Sequence, residues 1–128
     1  MKQLVKILAV MVLALVPAAL SASEPTVVFN TVSHDFGNIK STGGSVSCEY
    51  EFTNTGDSPL VIVSVTNGGC GCTTPTFPKA PITPGKTGVI KITFNPTGRR
   101  GEFNREVKVR TTGTPKRVAL KFKGVVVP

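Results

Sequence analysis

The sequence is poor in aromatic residues: it has no tryptophan, one tyrosine and seven phenylalanines among 128 residues. Proteins that bind single-stranded nucleic acids stack successive bases on aromatic side chains, so this scarcity argues against that class, and we expect no nucleic-acid partner. The missing tryptophan also excludes the antibody-type core, in which a buried tryptophan packs against a disulfide between two sheets. A folded core in this chain must therefore be built from aliphatic side chains and phenylalanine.

Residue combinations that support catalysis are equally scarce. His34 is the only histidine, and no Gly-x-Ser-x-Gly motif supplies a serine for it to activate. The acidic pairs Glu49 with Glu51 and Glu102 with Glu106 fall on the polar side of predicted strands, where no cleft is implied. We therefore expect no enzyme, no catalytic residue and no cofactor. His34 is interpreted as a residue at a bend of the first strand that forms a local hydrogen bond, with a role as third metal ligand as the alternative.

Long apolar runs are absent except at the N-terminus. Lys2 and Lys6 form a short basic region, residues 7–20 are apolar apart from a proline, and residues 21–23 are small. This order of basic, apolar and small residues is typical of a secretory signal peptide. The apolar run is shorter than the roughly 20 residues that a transmembrane helix needs.

The sequence therefore predicts a signal peptide at residues 1–23, cleaved after Ser21 or Ser23, and one domain at residues 24–128. No cysteine near the cleavage site offers a lipid attachment point. We expect an exported protein, periplasmic or extracellular, without a transmembrane segment after cleavage. Loss of the two lysines of the signal peptide lowers the formal net charge from +8 to +6. This excess of basic residues favours weak affinity for anionic surfaces.

Beyond residue 23, apolar and polar residues alternate with the period of a β-strand, and no segment has helical spacing. Four of the six residues in Leu60–Val65 are β-branched, which is typical of a strand covered on both faces. Turns rich in glycine and proline separate the runs. The pattern predicts an all-β fold, a single immunoglobulin-like antiparallel β-sandwich of about seven strands. The predicted strands are Val46–Phe52, Leu60–Val65, Val89–Phe94, Phe103–Arg110 and Lys116–Lys123, preceded by a broken first strand at Val27–Phe29 and Phe36–Ile39.

Five short phrases occur in a fixed order: His34 to Ile39 (HDFGNI), Phe52 to Gly56 (FTNTG), Pro59 to Ile62 (PLVI), Gly69 to Thr73 (GCGCT) and Ile82 to Gly85 (ITPG). Together they resemble an exported bacterial family known as domain of unknown function 1573 and, more distantly, major-sperm-protein-like and ciliary immunoglobulin-like modules. The resemblance covers about residues 28–126. The family usually has serine where this chain has Gly69. The resemblance implies an immunoglobulin-like sandwich and no assigned activity.

Cys70 and Cys72, separated by Gly71, are the residues with the clearest chemical potential. Their Cα atoms can lie roughly 5.5–7 Å apart, at the edge of the disulfide range, if Gly71 bends the backbone. We interpret the pair first as a local disulfide or structural thiol pair; an oxidising compartment would allow the disulfide to form. Such a small ring would be easily reduced. The alternatives are a soft metal site of the Cu(I) type and other thiol chemistry; zinc would require further ligands. We expect the pair to project from one end of the sandwich.

Cys48 occupies the buried side of its predicted strand and is interpreted as a small core residue. If the strand from Leu60 pairs antiparallel, it reaches the position of Cys48 near Thr66, and Cys70 lies four residues further along the chain, roughly 13 Å away. That distance is too long for a disulfide, so we expect Cys48 to be free.

Basic side chains share the polar side of the last two predicted strands. If these strands form a hairpin, Lys108, Arg110, Arg117, Lys121 and Lys123 make one positive stripe. The simpler interpretation is a solvated face that protects the sheet from aggregation. The functional interpretation is a docking surface for an anionic glycan, a membrane surface or an acidic protein.

The sequence as a whole predicts an exported, non-catalytic structural or interaction module whose partner is an unidentified protein or cell-envelope component. The alternative is a metal-binding or redox-active module that works through Cys70 and Cys72.

Overall fold

A computed structural model describes residues 23–128, which fold into eight strands without a helix in that range. None of the elements in these residues is a helix able to cross a membrane. The signal peptide predicted at residues 1–23 lies outside the described residues except for Ser23. The strands are β1 (Val27–Phe29), β2 (Ser33–Lys40), β3 (Val46–Asn54), β4 (Ile62–Val65), β5 (Thr73–Thr76), β6 (Thr87–Phe94), β7 (Gly101–Thr111) and β8 (Arg117–Val127).

The strands form two four-stranded sheets that enclose the core. The first sheet has the order β1-β3-β6-β5 and the second has the order β2-β8-β7-β4. This confirms the predicted immunoglobulin-like β-sandwich. All neighbouring strands are antiparallel except β2 and β8, which are parallel.

The parallel pairing of β2 with β8 involves the second half of the strand that the sequence predicts to be broken, at Phe36–Ile39. β1 pairs with β3 in the first sheet, whereas β2 pairs with β8 in the second. The chain therefore crosses between the sheets at residues 30–32, and the two halves of the predicted strand belong to different sheets. Alternation of residue types shows that a segment is extended, but not which sheet it joins.

The strand predicted at Leu60–Val65 is shorter and less covered than expected. β4 begins at Ile62 and lies at the edge of the second sheet, and Val63 within it is 53% exposed. Leu60 is buried, but it forms only an isolated bridge with Ile82. The prediction of a strand covered on both faces is wrong, because the β-branched residues reflect local strand propensity and not burial.

Phenylalanine side chains pack between the two sheets near the connection from β6 to β7. Phe94 and Phe122 are buried, with their ring centroids 5.8 Å apart. The ring of Phe103 stacks on Phe94 at 4.4 Å, and Phe36 meets Phe122 edge-on at 6.0 Å. Aromatic pairs at such separations stabilise a core beyond the area they bury. This cluster takes the place of the tryptophan and disulfide of antibody domains.

Candidate functional site

The two cysteines of the CGC phrase lie in the loop between β4 and β5, here called the thiol loop (residues 67–72). Gly68 and Gly69 have φ angles of 70° and 80°, which side chains rarely adopt. A Cβ atom on Gly68 would also come within 2.7 Å of the Glu106 carbonyl oxygen. The Gly69 N–H donates to Oδ1 of Asn67 at 2.9 Å. The glycines are therefore required for the loop to fold back against β7.

Cys70 and Cys72 form a disulfide with their Cα atoms 5.2 Å apart. The side chain of Cys70 is only 7% exposed, whereas Cys72 is half-buried. The expectation that both sulfurs project from the end of the sandwich is therefore wrong for Cys70. The loop is drawn inward because the N–H of Asn95, in the β6–β7 connection, donates to the Cys72 carbonyl oxygen at 2.8 Å.

Two hydrogen-bond donors meet at the sulfur of Cys70. The guanidinium Nη2 of Arg99 lies 2.9 Å from Sγ, and the backbone N–H of Cys72 donates to the same atom at 3.2 Å. The sulfur of Cys72 has a weaker neighbour, the Thr73 hydroxyl at 3.6 Å. The two sulfurs therefore differ both in exposure and in electrostatic environment. Arg99 was not foreseen, because 29 residues separate it from Cys70 and no local motif links them.

The other predicted metal ligand, His34, lies exposed in β2 with its ring edge-on to Phe36 at 4.5 Å. The hydrogen bond at this bend is formed by its neighbour, since the Gly37 N–H donates to Oδ1 of Asp35 at 2.8 Å. Within residues 23–128, no group of three or more His, Cys, Asp or Glu side chains is placed to hold a metal ion. The joined Cys70 and Cys72 also carry no thiolate, so soft-metal binding by this pair requires the reduced form.

Cys48 is free and 5% exposed, which confirms the expectation of a core thiol. Burial raises the pKa of this thiol above its ordinary value of 9.0. Burial also raises the pKa of Tyr50 far above its ordinary value of 10.0, and the neighbouring Cys48 adds to the effect. The Tyr50 hydroxyl donates to the Lys121 carbonyl oxygen at 2.5 Å, which connects the two sheets.

These two raised pKa values predict a loss of stability at alkaline pH. In the unfolded chain both groups release their protons near their ordinary pKa values, whereas in the folded chain they stay neutral. Above about pH 9 the unfolded state therefore binds fewer protons, and the free energy of unfolding should fall by up to about 1.4 kcal/mol per pH unit for each group. Urea denaturation across this range measures the slope. In Cys48→Val the free energy of unfolding should fall less steeply with pH between about pH 9 and pH 10. An unchanged slope in that variant would contradict the assignment to Cys48.

The predicted basic residues all lie exposed on the outer face of the β7–β8 hairpin, but the structure divides them into two groups. Glu106 stands directly opposite Lys121, and Asp35 of β2 stands opposite Lys123, so this end of the face is mixed in charge. Lys108, Arg110 and Arg117 lie at the other end, where Arg110 is directly opposite Arg117. The hairpin is confirmed, but the stripe is not of one sign throughout.

Lys108, Arg110 and Arg117 surround a surface cavity of about 350 Å³, here called the basic pocket. The small side chain of Ala119, opposite Lys108 in the register, leaves the depression between them. Thr66 completes the lining with Val118, and it is held in place because its hydroxyl accepts from the Lys108 N–H at 3.0 Å. The arrangement combines three cationic side chains with an apolar floor.

Comparison with known proteins places this fold among immunoglobulin-like sandwiches. The sequence profile of a family described as "Protein of unknown function (DUF1573)" matches residues 27–126. Among curated proteins, none matches the sequence.

Solved structures share the fold at low sequence identity. A protein of unknown function from Porphyromonas gingivalis W83 superposes with a TM-score of 0.70 at 20% identity, covering 86% of this chain and 51% of that one. The VesB protease of Vibrio cholerae gives 0.64 at 11% identity, covering 78% and 32%. The ASH/PapD-like domain of human CEP192 gives 0.60 at 13% identity, covering 88% and 93%. The chain thus spans about half of the first protein and a third of the second, and these likenesses concern the fold alone.

Proposed function

We propose, from the premise that the chain belongs to the DUF1573 family of proteins of unknown function, that it is an exported, non-catalytic interaction module. Its basic pocket docks onto anionic groups of the cell envelope. The likeness to the Vibrio protease brings no catalytic residue with it, because at 11% identity it concerns the fold only. The proposal therefore depends on the charged side chains of the basic pocket in this chain.

The observation that carries the proposal is the pairing of Arg110 with Arg117 beside Lys108. Like charges directly opposite each other in an antiparallel pair are destabilising. The nearest carboxylate in the register, Glu106, faces Lys121 and not the arginines. A bound phosphate or carboxylate between the two guanidinium groups would relieve their repulsion and form charge-assisted hydrogen bonds.

The edges of the sandwich are less suited to binding than its face. An unpaired edge strand can accept a further strand, but each edge here carries a feature that opposes this. β1 has only three residues, β5 contains Pro75, and β2 and β4 are interrupted by register shifts. The face of the second sheet is therefore the better candidate for a docking surface.

The proposal includes export, and signal peptide cleavage after Ser23 would place the new N-terminus beside Asp57. The backbone nitrogen of Glu24 lies 3.4 Å from Oδ1 of Asp57, and its carbonyl oxygen accepts from the Asp57 N–H at 3.2 Å. Signal peptide cleavage after Ser23 would turn this nitrogen into an α-ammonium group beside a carboxylate, which strengthens the contact. Cleavage after Ser21 would instead keep the hydrogen bond that the Ser23 hydroxyl donates to the Asp57 carbonyl oxygen at 3.1 Å, so both predicted positions are retained.

The test is binding of the processed protein, which begins at Ala22 or Glu24, to vesicles of phosphatidylglycerol and to an acidic polysaccharide. We expect binding to at least one probe that is lost by roughly 0.3 M salt, because charges at a surface are screened within a few ångströms at that ionic strength. The variant K108Q/R110Q/R117Q should reduce binding by about a hundredfold, since each of the three charges removed near an anionic surface is worth roughly 1 kcal/mol.

The matched control is K40Q/K86Q/K91Q, which removes the same charge from exposed positions outside the basic pocket. Equal effects of the two variants would indicate attraction by net charge alone and would overturn a specific pocket. Absence of binding to both probes at low salt would overturn the docking function itself.

The alternative function, binding of a soft metal such as Cu(I) by reduced Cys70 and Cys72, remains a prediction. Two thiolates can hold Cu(I), and retained copper in native mass spectrometry of the reduced protein would support this function.

A further inference from the structure

The disulfide of the thiol loop is electrostatically asymmetric. Sγ of Cys70 accepts from the Arg99 guanidinium at 2.9 Å and from the Cys72 N–H at 3.2 Å, whereas among residues 23–128 the polar neighbour of Cys72 Sγ is the Thr73 hydroxyl, at 3.6 Å. Positive charge and N–H donors stabilise a thiolate far more than they stabilise a neutral disulfide sulfur. When the disulfide is broken, a thiolate is therefore better stabilised on Cys70 than on Cys72.

Accessibility points in the same direction. Cys70 is 7% exposed beneath the Arg99 contact, while Cys72 is half-buried at the surface of the loop. Thiol–disulfide exchange proceeds by attack of a thiolate on one sulfur, and its rate rises with access to that sulfur and with the stability of the departing thiolate. Both conditions favour attack at Cys72 and departure of Cys70.

We propose that the Cys70–Cys72 disulfide is a thiol-exchange site whose substrate is a dithiol, with Cys72 as the attacked sulfur and Cys70 as the leaving group stabilised by Arg99. This activity goes beyond the docking function and does not depend on it. The basic pocket is formed by β7, β8 and Thr66, and none of its lining residues belongs to the thiol loop.

The exchange takes place in two displacement steps at sulfur. A substrate thiolate attacks Sγ of Cys72, a new S–S bond joins substrate to Cys72, and the Cys70–Cys72 bond breaks with its electron pair on Cys70. The second thiol of the substrate, after losing its proton, then attacks the substrate sulfur of this mixed disulfide and releases Cys72 as a thiolate. The substrate dithiol is oxidised to a disulfide, Cys70 and Cys72 are reduced by two electrons, and the two substrate protons pass to water or to the thiolates.

The β6–β7 connection holds the loop and the arginine in one unit. The Asn95 N–H binds the Cys72 carbonyl oxygen at 2.8 Å, and the Thr97 N–H binds Oδ1 of Asn95 at 3.0 Å. Within the same turn the Arg99 N–H donates to the Pro96 carbonyl oxygen at 3.0 Å. Arg99 therefore reaches the sulfur from a turn that is itself bonded to the thiol loop, so the leaving thiolate forms next to a charge already in place.

The first test identifies the attacked sulfur. The intact protein is treated with reduced glutathione, quenched with acid and mapped by peptide mass spectrometry. We expect glutathione on Cys72 in large excess over Cys70. Glutathione mainly on Cys70, or no mixed disulfide and no reduction of the bond, would overturn the proposal. Cys48, which is buried and free, serves as the internal control for unspecific modification.

The second test isolates Arg99. We expect Arg99→Gln to slow reduction by glutathione at neutral pH by about three- to tenfold, since a leaving thiol of higher pKa departs more slowly. In the C48A/C72S background, Arg99→Gln should also move the ultraviolet titration of the Cys70 thiolate to higher pH. Arg100→Gln removes the same charge from the adjacent exposed residue and should leave both readouts near wild type. Equal effects of the two glutamine variants, or no shift of the titration in Arg99→Gln, would contradict the role of Arg99.

Discussion

Replacement of Phe94 by alanine should lower the free energy of unfolding by about 3–5 kcal/mol, as expected when a fully buried phenylalanine is truncated. The ring of Phe94 is 0% exposed and lies between Phe103, stacked at 4.4 Å, and Phe122 at 5.8 Å. Its removal leaves a cavity between the two sheets, because Phe94 belongs to the first sheet and both neighbouring rings belong to the second. Small domains are stable by only about 5–15 kcal/mol, so this single change should remove a large share of the total.

Urea denaturation followed by circular dichroism measures the loss at Phe94. The control is Phe36→Ala, which deletes the same atoms from a half-buried ring at the rim of the cluster and should cost less. If Phe94→Ala does not fold, Phe94→Leu tests the same position with a smaller cavity. A loss at Phe94 no larger than the loss at Phe36 would show that this cluster is not the centre of the core.

The same cluster shows how much of the fold could be predicted from the sequence. Alternation located β3, β6, β7 and β8 to within a few residues, because each of these strands has one buried and one solvated side. It missed β5, whose residues Thr73–Thr76 do not alternate in polarity and contain a proline. It also could not assign β1 and β2 to different sheets, since strand pairing is set by contacts far apart in the sequence.

The thiol loop marks a similar boundary for the candidate site. The residues Cys70 and Cys72 could be identified as neighbours, because a glycine between them allows the turn. Their unequal environments could not be predicted, because the contacts that create them come from a different loop. Arg99 of that loop contacts the Cys70 sulfur, and the Asn95 N–H donates to the Cys72 carbonyl oxygen. The chemistry of this pair therefore depends on tertiary contacts that no local motif encodes.

The phrases that carry the family resemblance also serve different purposes. The FTNTG and ITPG phrases meet in space, because the Gly85 N–H donates to the Asn54 carbonyl oxygen at 2.8 Å. A Cβ atom on Gly56 would lie 2.1 Å from the Glu24 carbonyl oxygen, so a side chain there would displace the start of the domain. These phrases support the fold, whereas the GCGCT phrase holds the disulfide between the buried Cys70 and the half-buried Cys72. Only the last phrase therefore points to chemistry.

The residue on which the structural phrases converge is Asn54, which is 0% exposed. Its Oδ1 accepts from the N–H groups of Thr26 at 3.3 Å and Gly56 at 3.0 Å. Its Nδ2 donates to the carbonyl oxygens of Ser58 at 2.8 Å and Ile82 at 2.9 Å. One side chain thus satisfies four backbone groups from three segments of the chain.

Asn54→Ala should therefore lower the free energy of unfolding by about 3–5 kcal/mol, since each buried polar group left without a partner costs roughly 1–3 kcal/mol and some of the four would regain water. The control is Asn95→Ala, which removes an exposed asparagine that also accepts from the N–H two residues onward, at 3.0 Å from Thr97. Its loss should be about 1 kcal/mol or less, because water can replace an exposed partner. Chemical denaturation of both variants measures the difference, and hydrogen exchange should show new opening at residues 24–27 and 82–86 in Asn54→Ala alone. Equal losses in the two variants would mean that the buried amide is not what joins β3 to the start of the domain and to the turn before β6.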